Sequence, residues 1–110
     1  MGLDVGQLTN EMLAAALPIL KKSAQDAEAF AKTEFTKIAQ TIVSIGEQLT
    51  AGQINPQQAT LLFNMQTAAS RNVFLCLEGI ALLAAEEAIN AALNVIKAAV
   101  NAALKFPLIV

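Results

Sequence analysis

The chain has 110 residues, a formal charge of −2 and no histidine, with 55% hydrophobic and 15% charged residues. An ordinary soluble domain carries about 25% charged residues, so this one is too apolar for disorder, and its seven scattered Lys and Arg form no cationic stripe for nucleic acid. The commonest general base and metal ligand is missing, and one cysteine excludes an intrachain disulfide. No enzymatic activity, cofactor, metal or small-molecule substrate is therefore expected.

The opening segment "MGLDVGQLTNEM" lacks a basic region followed by an apolar run, and lacks the Ser or Thr at position six that myristoylation requires. A cytoplasmic setting is the expectation. A first helix is predicted over about 8–50. At Pro18 a missing N–H and a ring clash one turn back predict either a kink or a short helix over about 10–17 ahead of a longer one; the kink is favoured because Leu8, Met12, Ala15 and Ile19 keep helical spacing across it. The periodicity continues through Leu20, Ala24, Ala27 and Ala31, then Phe35, Ile38, Ile42, Ile45 and Leu49. The step from Ala31 to Phe35 is a stutter in the heptad. Phe30 and Phe35 are both predicted in the core.

The turn is predicted at 51–55. Gly52 suits the left-handed position past a helix end. Asn55, Pro56 and Gln58 read as N-cap, first-turn proline and capping-box partner. Stop and start signals so close together predict an antiparallel hairpin. The second helix is predicted over about 56–105, with a bend near Gly79, since no proline intervenes before Pro107. Cys76, between Leu75 and Leu77, reads as a small buried apolar residue.

This second helix carries two apolar seams. One runs through Leu77, Ala81, Ala84, Ala88, Ala91, Val95, Ala98 and Ala102 at heptad spacing. Its small residues suit close packing on the first arm. The other holds Leu75, Leu82, Ile89, Leu93, Ile96, Val100 and Leu104. Glu86, Glu87, Asn90, Asn94, Lys97, Asn101 and Lys105 make a narrow wet strip between them. A plain hairpin buries one seam only. Leaving the aliphatic one in water would sacrifice on the order of 10 kcal/mol, so it is predicted to be an interface with another copy. Glu78 lies near that seam and is expected to reach water at its edge; the alternative is that Arg71 of one copy meets Glu78 of the other and fixes register.

The expected architecture is therefore an all-α long antiparallel helical hairpin, residues 1–110, assembling into a four-helix or larger bundle. The expected role is a non-enzymatic, self-associating structural or assembly component. Two alternatives stand beside it: a membrane-active or pore-forming helical protein, and an adaptor hairpin that binds a different helical protein. On this reading Ile89→Asp separates copies without unfolding them, whereas Ala91→Leu overpacks the intrachain seam. Glu-x-x-His pairs, phosphate-binding glycine loops and calcium loops are absent from the sequence.

Overall fold

The turn at 51–55 forms as its residues dictate. Gly52 takes φ 73°, a conformation that glycine reaches without a steric penalty. Asn55 accepts a hydrogen bond from the Gln58 amide at 2.8 Å, and the Gln58 side chain accepts from the Asn55 amide at 3.0 Å. These complete the capping box ahead of Pro56. The computed structural model of the chain describes residues 2–22, 27–76 and 80–110. Within them lie four helices and no strand: α1 (Val5–Leu20), α2 (Ala27–Thr50), α3 (Pro56–Leu75) and α4 (Leu82–Leu104).

Each arm of the predicted hairpin is thus two helices. The expected 8–50 helix ends at Leu20, with the Lys21 amide donating to the Leu17 carbonyl at 2.9 Å. Pro18 sits in that last turn. It marks the end of a short helix, the alternative to the favoured kink, although that helix is longer than the expected 10–17. The expected 56–105 helix stops at Leu75 and resumes at Leu82. Gly79, the position of the predicted bend, lies outside the described residues, as does Ala24. The N-terminus also differs: Asp4 caps α1 by accepting from the Gln7 amide at 3.0 Å, so the helix starts at Val5, ahead of the predicted residue 8.

The helices contact one another in cyclic order, α1 on α2, α2 on α3, α3 on α4 and α4 on α1, with α3 and α4 touching least. Helices of 16 to 24 residues span about 24–36 Å, which fits overall extents of 43 × 22 × 20 Å. With the arms folded in half, Ile89, Ile96 and Val100 become fully buried, which contributes about 5–9 kcal/mol.

The α1 and α2 stripes follow the predicted periodicity except at Ala15, Ile19 and Leu49, which are only partly buried, with Ala16 and Leu20 fully buried beside the first two. Leu8, Met12, Leu20, Ala27, Ala31, Phe35, Ile38, Ile42 and Ile45 are buried, and Phe35 meets Phe74 edge to face with ring centroids 5.6 Å apart. Phe30, predicted in the core, is 49% exposed. It falls one turn before Phe35 but off the buried stripe that Ala27, Ala31 and Glu34 define. Cys76 is exposed rather than buried, because it follows the last residue of α3 at the C-cap. No helix among the described residues is long and apolar enough to cross a membrane.

Candidate functional site

The inward face of α4 is neither predicted seam alone: it takes Ile89, Ile96 and Val100 from the aliphatic seam and Ala88 from the small-residue seam. The inward stripe is Ala85, Ala88, Ile89, Ala92, Ile96 and Val100, covered by α1 and α3 of the same chain. On the small-residue seam, Ala81, Val95, Ala98 and Ala102 are exposed. Of the predicted interface residues, Ile89, Ile96 and Val100 are sealed inside the chain. Leu93 and Leu104 pack against the core partly buried. Leu75 and Leu82 remain open at 39% and 56% exposure. A single fold-back would need a second copy to cover the aliphatic seam; folding each arm over its own half supplies the cover internally. Arg71 is partly buried on α3, and Glu78, its register partner in the alternative reading, lies outside the described residues.

Exposed apolar side chains fall in two places, at the start of α4, where Leu82 and Leu83 are 56% and 66% exposed, and on α3, where the sequence pattern marks no interface. Leu61 and Met65 are each 60% exposed and Leu62 is 38% exposed. Positions 61 and 65 stand one helical turn apart on one face. Beside them Leu62, Met65 and Ala69 line a groove of about 590 Å³ against Lys37, Thr41, Ile45 and Gln48 of α2, so the charge on this groove comes from α2 and not from α3. From Pro56 to Ser70 α3 carries no charged residue. At the other end of the α2 rim Glu34 is buried and takes a hydrogen bond from Lys37 at 3.0 Å, the lysine itself half exposed.

The opposite flank of α3 faces α4 across a cleft of about 450 Å³. Asn64, Thr67 and Arg71 stand on one wall and Asn90, Leu93 and Asn94 on the other. This polarity is why α3 and α4 touch least: the inner face of α3 holds Thr67 and Ser70 between Phe63 and Phe74. The Thr67 hydroxyl donates to the Asn64 carbonyl at 3.1 Å, and Ser70 Oγ accepts from Gln66 at 3.2 Å. Arg71 Nε is sealed from solvent with no hydrogen-bond partner among the described residues.

The tail closes the lower part of this cleft. After α4, Lys105 turns left-handed at φ 60°, and the chain runs back as a strap. Asn101 Nδ2 donates to the Ile109 carbonyl at 2.9 Å while its Oδ1 accepts from the Ile109 amide at 3.0 Å. Leu108 and Ile109 are buried to 2% and 3% exposure. Asn101, predicted on the wet strip, therefore binds backbone: with α4 ended by Lys105, the returning strap brings an unpaired peptide group opposite its amide. Asn90 and Asn94 are exposed, as are Glu86, Glu87 and Lys97.

Together these features define an all-helical protein with one uncharged apolar face, one polar cleft and, among the described residues, no cluster of three His, Cys, Asp or Glu able to hold a metal ion. Compared with protein-family models, curated proteins and solved structures, the chain matches none.

Proposed function

We propose that the chain is a non-enzymatic structural or assembly component that self-associates through the outer face of α3. The observation that carries this reading is the exposure of Leu61, Leu62 and Met65 together on a helix stretch without charge. An uncharged face meets its own copy across a two-fold axis with no like-charge conflict, which a charged face of either sign does not. The neighbouring Ala68 and Ala69 let two such helices approach closely. The proposed interface lies on α3 rather than on the α4 seam because Ile89, Ile96 and Val100 at the centre of that seam are buried within the chain.

The face is small. The three large side chains expose roughly 300 Å² per copy, about 15 kcal/mol gross for a pair at 25 cal/mol per Å². Association itself costs an estimated 4–15 kcal/mol, so the pair is weak, in the range typical of interfaces below about 1,200 Å². Sedimentation equilibrium tests it: the wild-type chain forms a dimer with a dissociation constant near micromolar to tens of micromolar. Leu61→Glu with Met65→Glu keeps the helicity and abolishes the dimer. A wild-type chain that stays monomeric up to about 1 mM overturns the proposal. So does a dimer that survives the double substitution.

A further inference from the structure

We infer that the open part of the α3/α4 cleft binds a short extended segment of a partner protein, uncharged and aliphatic at alternate positions, through main-chain hydrogen bonds to Asn90 and Asn94. The strap supplies the pattern. Leu108 and Ile109 lie buried along the same cleft, and the Asn101 side chain holds both the N–H and the C=O of Ile109. One asparagine thus grips one residue's main chain over an apolar bed, a mode indifferent to the side chain attached. Helix α4 repeats the arrangement further along. At about 100° per residue, Asn90 and Asn94 lie within about 20° of Asn101 around the helix axis. Both line the cleft beyond the strap and are exposed, so each amide is open to a donor and an acceptor.

The spacing fits an extended chain. Asn90 and Asn94 are four residues apart, about 6 Å along α4, and two residues of extended chain cover about 6.6–7.2 Å. In such a chain the N–H and C=O of every second residue face the same edge, and their side chains share one face. That face meets Leu93 and Phe63, which line the cleft and give a buried charge no compensation. Main-chain pairing then supplies affinity, and the apolar bed selects the alternate side chains. A volume of about 450 Å³, within the usual span of ligand pockets at about 300–1,000 Å³, suits a few residues rather than a folded element. Arg71 Nε is sealed from solvent and takes no part. Val110 lines the cleft at 99% exposure, so it makes almost no contact with the walls.

The probe is the tripeptide acetyl-Leu-Ser-Leu-amide, capped so that no terminal charge meets Arg71 or Val110, titrated into ¹⁵N-labelled full-length protein. Its comparator is the same peptide methylated on both leucine nitrogens, which keeps the aliphatic body and loses the two donors. The probe shifts the side-chain amides of Asn90 and Asn94 and leaves those of Asn101 and the Ile109 N–H in place. The methylated peptide binds at least about fivefold more weakly, and Asn90→Ala and Asn94→Ala each weaken the probe by about fivefold or more, the scale of a pair of hydrogen bonds. Both asparagines are exposed helix positions, so the variants keep the fold. Equal binding of the methylated peptide overturns the inference, as does an unchanged affinity in either variant. Movement of the Ile109 N–H also overturns it, because the peptide would then be displacing the strap, and so does the absence of any shift at about 20 mM probe. The Leu61→Glu, Met65→Glu chain gives the same shifts as wild type; their loss there places the peptide on the outer face of α3 and refutes the assignment to the cleft.

Discussion

Asn101→Ala isolates the energetics of the strap. Two hydrogen bonds join the Asn101 side chain to the Ile109 peptide group, together worth about 1–3 kcal/mol net. Burying Leu108 and Ile109 adds about 3–6 kcal/mol. Opposing them, fixing the backbone of the five residues Phe106 to Val110 costs about 5–10 kcal/mol. These terms nearly cancel, so the asparagine decides whether the strap stays down. Its loss raises the detached population roughly 5- to 150-fold, the equivalent of 1–3 kcal/mol. Trypsin reads this directly, because Lys105 is exposed at the root of the strap and its peptide bond is cut faster once the tail lifts. Exchange at the Leu108 amide, which donates to the Phe106 carbonyl at 2.9 Å, accelerates in parallel. The melting transition moves little, since no helix loses its core. A large fall in melting temperature with Lys105 still resistant to trypsin would refute the reasoning, because the side chain would then be bracing the helices rather than the tail.

Three further substitutions probe helix ends and seams. Ala81 begins α4 in extended conformation with no side-chain cap, so Ala81→Asp stabilises the chain by about 1 kcal/mol and raises its thermal midpoint; an unchanged midpoint places the helix start elsewhere. Lys105 holds a left-handed conformation at φ 60° that costs an L-residue about 1–2 kcal/mol, and Lys105→Gly recovers about 0.5–1 kcal/mol of it in a denaturant titration. Ile89 is fully buried and Val95 is 49% exposed, so Ile89→Asp abolishes cooperative unfolding while Val95→Asp stays within about 0.5 kcal/mol of wild type. Circular dichroism showing a folded Ile89→Asp chain contradicts the inward stripe of α4.

The sequence was legible where local chemistry acts alone. Asn55, Pro56, Gln58 and Gly52 determine their turn within a few residues, and the Phe35, Ile38, Ile42, Ile45 stripe comes from spacing. Pro18 signals the first interruption without deciding between a kink and a helix end, because α1 runs on through it before stopping at Leu20; the second interruption carries no such signal, since Ala81, the N-cap residue ahead of α4, offers no capping side chain. Tertiary burial decides both. That choice also governs which side of α4 faces inward: with apolar residues on two sides, periodicity permits either, and the arm folding in half selects Ile89, Ile96 and Val100. The role of Asn101 depends on a strap that arrives from eight residues later, beyond any local pattern. The face of Leu61, Leu62 and Met65 escaped notice because α3 is apolar or neutral nearly all round, leaving no contrast to mark its outer side.

The sparse contact between α3 and α4 has a consequence for how the molecule comes apart. Large buried side chains come mostly from α1, α2 and α4, while α3 contributes Phe63 and Phe74 with only Thr67 and Ser70 buried between them. Anchorage is therefore lopsided, and α3 is the outermost rung of a ladder of local openings. Its amides should exchange with deuterium before those of its neighbours, in a partial unfolding that leaves three helices collapsed together. The segment most cheaply lent to another molecule is then also the one the chain can best spare.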